Sequence, residues 1–347
     1  MIPSMTRRAQ TILLLTLAAA LHAAVLLAGF FAPYDPEEQN RNLPFAPPVR
    51  LHFIDEEGSL HLRPFIYTRA ERPGAFGEYE EDRSRRYPVR FFVAGTPYRL
   101  AGLLPARIRL FGVEEPARVS LCGTDGFGRD VFSRMLAGGR ISLLAGVLAT
   151  MVTLLIGSLI GAVAGFYGGW MDALLMRGAE LFLALPWIYL LLAFRAFLPL
   201  HIGPSEAFLL VILVIAAVGW ARPARLVRGV VLSARERDYV RAARGFGATD
   251  IYLLRRHVLP QTFGVLRTQA LLLVSQYVLA EVTLSFFGLG VSEPVPSLGN
   301  MLGTLMQYHV LVSYWWLFLP GLLLALFVGL YSALAARLGG DSRAPSW

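Results

Sequence analysis

Six apolar stretches, at residues 11–31, 141–166, 173–198, 207–221, 263–284 and 314–336, constrain this chain more than any other feature. A hydrocarbon layer of about 30 Å takes about 20 helical residues to cross. Backbone inside such a layer must satisfy its own hydrogen bonds, so each stretch is expected to be a membrane-crossing helix. Composition agrees, with 55% hydrophobic and only 16% charged residues, where a soluble domain carries about 25% charged. Arg7 and Arg8 precede the first stretch. The small residues Ala23 and Ala24 would suit removal of a signal peptide, but the apolar run continues to Phe31, so an uncleaved anchor is expected. Gly146, Gly157, Gly161 and Gly165 should let other helices approach the second stretch closely. Pro186 should kink the third, with Arg177 and Glu180 at the interface.

Arginine placement orients the spans. The 32 basic residues are all arginine, which reads as the codon usage of a GC-rich bacterial genome. Residues 222–267 hold ten Arg against three acids, Glu236, Asp238 and Asp250. Residues 33–135 hold fifteen of each sign. Short basic loops stay in the cytoplasm, while long segments cross regardless of charge. The Arg-rich loop and both termini are therefore expected inside, and the long balanced segment outside. That segment reads as a small β-rich module: residues 49–53 alternate with period two, Asp55–Gly58 is a turn, and 60–67, 89–93 and 108–111 are further strands. The expected division is 1–32 (tip and first helix), 33–122 (periplasmic insert) and 123–347 (transmembrane core, with its cytoplasmic loop at 222–262).

Chemistry within the chain is sparse. Cys122 stands alone, so no intrachain disulfide can form. The six histidines lack a close ligand pair, although His52 and His61 could meet across a hairpin. There is no phosphate-cradling G-x-x-x-x-G-K-[ST] run, and no nucleophile, metal or paired-carboxylate arrangement that would support a membrane-anchored enzyme.

The cytoplasmic loop carries more information. In residues 235–246, Tyr239, Ala242, Ala243 and Phe246 recur at three- and four-residue spacing, the mark of an amphipathic helix. Gly247 can take a left-handed cap. Thr249 or Asp250 can cap a second helix at 251–257, with Ile251, Leu254 and Val258 as its face and Pro260 as its stop. The product is helix–elbow–helix, suited to docking a soluble partner. The plainer reading is an interfacial helix with ordinary positive-inside charge. Anionic lipid and the orientation rule already account for the arginines, so no nucleic acid is expected.

Tyr239–Ala248 followed by His257-Val258-Leu259-Pro260 resembles the EAA loop of bacterial ABC-importer permeases, with Ala242, Ala243, Gly247, Leu259 and Pro260 at the matching spacing. Arg241 stands where the general pattern has Glu, and His257 where it has Ile, as in the dipeptide/oligopeptide/nickel branch. Gly123–Arg134 with Gly139–Leu143 is similar to that branch's GTDxxGRDxxSR…GxRxSL block. Glu281–Gly290 with Pro294, Pro296, Ser297, Gly299 and Asn300 is similar to its EasLSFLGLG…PSWGN block, Leu298 replacing the Trp. The resemblance spans about 120–340 and is nearest the C-type subunit. The 33–120 segment is longer than in that family, and the ending after Gly340-Asp341 departs from it.

The resemblance implies an all-α polytopic membrane protein of the type I ABC-importer permease kind: six transmembrane helices, with the β-rich insert between the first two. It implies a permease for peptides or similar small solutes in a bacterial inner membrane. Partners would be a second homologous permease subunit, two cytoplasmic ABC ATPase subunits, a periplasmic or lipid-anchored substrate-binding protein, and membrane lipid. ATP and Mg would sit in the ATPases, with no cofactor in this chain and no enzymatic site. ATPase coupling would fall to Arg241, Ala242, Ala243, Arg244, Gly245, Phe246, Gly247, Ala248, Thr249 and Asp250. Glu281, Ser285, Gly288 and Gly290 are candidates for the gate or pathway, and Glu281 could equally pair with a neighbouring helix. Asp125, Arg129 and Asp130 are expected to act as a cap and salt bridges at the outer surface. A self-sufficient, ion-gradient-driven transporter or channel is the alternative, but it would need more ionisable residues deep in the spans than Glu281.

Overall fold

The computed structural model describes residues 7–72, 77–100, 102, 104–197, 199 and 202–340. The divergent ending at 341–347, the N-terminal tip at 1–6 and the expected third-span end at Leu198 lie outside the described residues. In chain order the elements begin with α1 (Arg7–Leu26) and α2 (Ala28–Phe31). Five strands follow: β1 (His52–Ile54), β2 (Leu60–Glu71), β3 (Tyr79–Pro88), β4 (Arg90–Leu100) and β5 (Leu104–Gly112). Next come α3 (Val131–Tyr167), α4 (Gly169–Ala184), α5 (Trp187–Ala196), α6 (Pro204–Gly219), α7 (Ala221–Arg235), α8 (Asp238–Gly245) and α9 (Asp250–Leu253). The chain ends with α10 (Phe263–Phe286), α11 (Leu298–Gly303), α12 (Tyr308–Ser313) and α13 (Leu319–Gly340).

Among the described residues, four helical stretches are long and apolar enough to cross a membrane, or up to six if each of two bent pairs counts as one. Those pairs are where the structure departs from simple spans. Pro186 does more than kink the third stretch: α4 and α5 stand at 96°. Leu185, just before the proline, is extended at φ −93° and ψ 143°, because the proline ring disfavours helical backbone in the residue before it. The fourth stretch is longer than its apolar run. It continues as α7, bent 47° from α6. Pro260 does not stop the chain's helical course either. A π turn at Leu254–Val258 and a 3₁₀ turn at Leu259–Thr262 place it in a first turn, where no N–H is needed, and lead into α10.

The chain forms two compact units. One holds Leu143–Leu284, with the start of α1 up to Leu15 and α13 from Phe327. Here the glycine stripe of α3 meets α7. A Cβ on Gly161 would strike the Ala224 carbonyl, and one on Gly165 would lie 2.9 Å from the Arg228 carbonyl. Gly146 similarly abuts Val278 of α10, at 2.6 Å from its Cγ2. Backbones this close maximise dispersion contact where lipid offers no hydrophobic drive.

The second unit holds Thr16–Ser142 and Ser285–Leu326. β1, β2 and β3 form one antiparallel sheet, with Phe65 opposite both His52 and Pro88, and β4 and β5 form a separate hairpin. One core gathers Ile66, Tyr87, Val89, Ala117 and Val119. Another gathers Val131, Met301, Val310, Trp316 and Leu317 with Phe45 and Cys122 packed against it. The expected strands at 49–53 and 89–93 begin later, at His52 and Arg90. His52 and His61 do not share a site: His52 lies 3.2 Å from Glu81 and His61 2.8 Å from Asp55.

Candidate functional site

The loop between α7 and α10 folds as a helix, an elbow and a second helical turn, all within the first unit. Gly247 has φ +85°, a left-handed conformation that a Cβ disfavours. This turn lets the Gly247 N–H donate to the Arg244 carbonyl at 3.0 Å and the Ala248 N–H donate to the Ala243 carbonyl at 3.1 Å. The two bonds close the end of α8. Gly245 is an ordinary helical residue in the last turn of α8. Of the two capping candidates, Thr249 caps α9, its hydroxyl accepting from the Tyr252 N–H at 3.4 Å.

The elbow has a buried base. Val240, Leu253 and Val258 join Val227, Val231 and Ala234 of α7 and Ala162 and Phe166 of α3 in one cluster, with Ala243 and Ala248 against it. The expected faces need correction here. Tyr239, Ala242 and Phe246 turn outward while Val240 is the buried anchor, at 1% exposure. Likewise Ile251 is 67% exposed and Leu253 takes the inward place. Ala243, Leu254 and Val258 do pack on the base as expected; both faces of this loop carry apolar side chains, so spacing alone does not separate them. The outcome is an exposed apolar rim of Phe246 (92%), Ile251 and Tyr252 on a fixed base.

Charges brace this base. The Arg235 guanidinium donates to the carbonyls of Gly165 and Phe166, at 2.9 and 3.1 Å, closing the end of α3. Arg228 grips Asp172 of α4 with two bonds of 2.5 and 2.6 Å. Arg241 donates to Glu236 at 2.6 Å, which holds that carboxyl below its usual range. Arg244 reaches Asp250 at 3.3 Å. Both arginines are thus committed within the loop.

The pathway candidates do not lie at the elbow. Glu281 is fully buried on α10. In the second unit, the Ser285 hydroxyl accepts from the Val291 N–H at 3.2 Å. A Cβ on Gly290 would strike that hydroxyl, and Gly288 turns the chain at φ +72°. Ser285, Gly288 and Gly290 thus form one tight turn.

Residues 157–340 match the family model described as binding-protein-dependent transport system inner membrane component. The chain belongs to this family. The permease is also similar to a protein of Brucella suis biovar 1 whose name assigns it to the peptide permeases, with 42% identity over 63% of this chain and 69% of that one. It is 38% identical to the dipeptide transport system permease protein DppC of Bacillus subtilis, over 62% of this chain and 66% of that one. A chain from inward-facing crystals of the MetNI methionine ABC transporter aligns at a TM-score of 0.47 and 19% identity, covering 60% of the permease and 96% of that chain.

The family match takes in the elbow and α10 but leaves out the strands. An ion network in the permease's second unit joins Asp125, Arg129 and Arg134, which precede the matched range, to Glu293 within it. Arg129 bonds Asp125 at 2.7 Å and Glu293 at 2.5 Å, and Arg134 bonds Glu293 at 2.9 Å. Asp130 caps α3 by accepting from the Ser133 N–H at 2.8 Å, and burial pushes its carboxyl up to about 6. Glu293 was missed in the sequence because it lies far along the chain. The Asp172–Arg228 pair was missed for the same reason.

Proposed function

We propose that this permease forms half of the pathway of an ATP-driven peptide importer and meets a cytoplasmic ATPase through the elbow at 244–250. The observation that carries the reading is the exposed rim of Phe246, Ile251 and Tyr252 on a base locked into α3 and α7. A surface this apolar and this rigid suits a protein groove. The 38–42% identity to relatives named as peptide and dipeptide permeases supports the substrate class. In this reading each bent pair is one span. Six spans then cross the inner membrane with both termini and the elbow inside, and the strands face the periplasm beside the substrate-binding protein. A second permease completes the pathway, and two ATPases supply the force. Closure of the ATPases would draw the elbows together, and α7 would carry that motion into the spans. A bound ATPase shifts the spans only by its differential affinity for their two states.

The test is a cysteine at position 246 in the assembled transporter, with Cys122→Ala as background. A crosslink to the ATPase that changes with nucleotide, together with ATP-dependent uptake, is the expected result. No crosslink, or gradient-driven uptake by this chain alone without ATP, would replace the reading with a self-sufficient transporter.

A further inference from the structure

Both helix breaks of the first unit open onto one cavity of about 260 Å³. Pro186 and Trp187 line it from the start of α5, Gly219 and Arg222 from the α6–α7 bend, and Gln276 and Tyr277 from α10. Helix lengths place its depth. Arg222 lies thirteen residues before Arg235 at the end of α7, and Tyr277 fourteen after Phe263 at the start of α10. At 1.5 Å per residue, both are about 20 Å from the elbow end of their helices. Pro204 to Gly219 adds about 22 Å on the other side of the bend. The cavity therefore sits about midway along the bent pair of α6 and α7.

Within a membrane-crossing pair, an ionisable residue such as Arg222 is a functional candidate. It makes no ion pair among the described residues, unlike Arg228 and Arg235 on the same helix, and it is exposed in the isolated chain. α5 begins at the cavity with no side-chain cap, so its first N–H groups and its positive dipole end are open there. Tyr277 is 2% exposed, and its hydroxyl lies beside that of Thr153. Its place against Gly219 leaves no room for a side chain there. A free cation, an uncapped helix start, an amide and a buried hydroxyl thus converge on one space with no acid among the cavity's residues. Broken helices that aim an N-terminus at an anionic group are a known way to hold a carboxylate within a membrane.

We propose that this cavity is a carboxylate subsite of the translocation pathway, taking the C-terminal carboxylate of a passing peptide. Arg222 supplies the charge, Gln276 and Tyr277 donate hydrogen bonds, and the start of α5 adds its N–H groups. The volume is below the roughly 300–1,000 Å³ that encloses a drug-sized ligand, so the site takes one end of a peptide and the rest stays in the pathway. The inference rests on the importer reading for its ligand, but not on the role of the elbow.

The assembled transporter in nanodiscs tests it, with alanyl-alanine and alanyl-alanine amide as probes and tryptophan fluorescence as the readout, since Trp187 lines the cavity. The free acid should half-saturate the signal at a concentration at least tenfold lower than the amide. Arg222→Gln should abolish that preference, Arg222→Lys should retain part of it, and Trp187→Phe should remove most of the signal. Equal responses to acid and amide in the wild type would overturn the proposal. So would a tenfold preference that survives Arg222→Gln, or a full signal in Trp187→Phe. Basal ATP hydrolysis by the wild-type complex is read in parallel. Its absence counts against the importer reading, whereas its presence without acid preference counts against the subsite alone.

Discussion

Gly247→Ala isolates what the elbow's backbone contributes. The native φ of +85° costs an L-residue about 1–2 kcal/mol. A Cβ at 247 would meet nothing within 4 Å, so no clash adds to that cost. The strain falls on the bonds that close α8, from the Gly247 and Ala248 amides to the Arg244 and Ala243 carbonyls. A cost of 1–2 kcal/mol corresponds to a factor of about 5–30 in a local opening equilibrium. Native-state hydrogen exchange on the assembled transporter should therefore show those two amides exchanging about 5–30 times faster in Gly247→Ala. Amides of Val231 and Ala234, within α7, should not change. Asn enters the left-handed region more readily than Ala, so Gly247→Asn should exchange at a rate between those of the wild type and the alanine variant. Exchange in Gly247→Ala indistinguishable from the wild type would refute the claim that the turn's conformation holds the elbow. Uptake measured on the same variants separates backbone from surface. A loss in Gly247→Asp far beyond that in Gly247→Asn, at matched exchange, would assign the excess to charge placed against the partner.

Phe246→Ser removes a side chain that is 92% exposed; stability, read as the melting temperature, should change by no more than roughly 0.5 kcal/mol, as for other surface substitutions, while ATP-dependent uptake falls, and unchanged uptake would count against the docking rim. Asp172→Asn breaks the paired bonds to Arg228 and should cost about 1–2 kcal/mol, the low end for bonds to charged groups because both side chains are partly exposed, read as a lower melting temperature. Asp130 is pushed from 3.8 up to about 6 by burial, so the folded chain keeps a proton that the unfolded chain has released. Its contribution to stability therefore falls as pH rises from about 4 to 6, and Asp130→Asn, which can still cap α3, should gain melting temperature over the wild type at pH 7 but not at pH 4. Gly219→Ala would drive a methyl into the Tyr277 hydroxyl, an overpacking worth about 1–3 kcal/mol, and should lower the melting temperature more than Gly264→Ala, where space is open.

The elbow was legible in the sequence because its determinants are local. Gly247 is the residue that tolerates a left-handed turn, and it follows an amphipathic run with a Thr two residues beyond. The phase of that run was not legible. Tyr239, Ala242 and Phe246 mark one apolar face and Val240 another, and only packing against Phe166, Val227 and Val231 decides which side goes in. The glycines of α3 announced close approach but not what approaches. The partner proved to be α7, a helix with three arginines in its first eight residues.

Hydropathy counts apolar residues along the chain and is blind to direction, which is why the two breaks were the hardest features to foresee. The break at Leu185–Pro186 has a local cause in the proline, yet a proline inside a span is compatible with anything from a shallow kink to the 96° observed. The bend after Gly219 has a local cause in Pro223, which has no N–H to give the Gly219 carbonyl four residues back and whose ring crowds it, yet this too sets no angle. Gly219 abuts Tyr277, fifty-eight residues later. A charge after an apolar run normally marks the membrane surface, which places Arg222 at the start of a loop. That rule assumes the helix ends where the apolar run does. Here α7 carries on to Arg235, with Arg228 committed to Asp172 and Arg235 to the end of α3. Charges satisfied inside the protein do not mark the surface, and a rule that counts every arginine alike does not separate Arg228 and Arg235 from Arg222 and Arg225, which make no ion pair among the described residues.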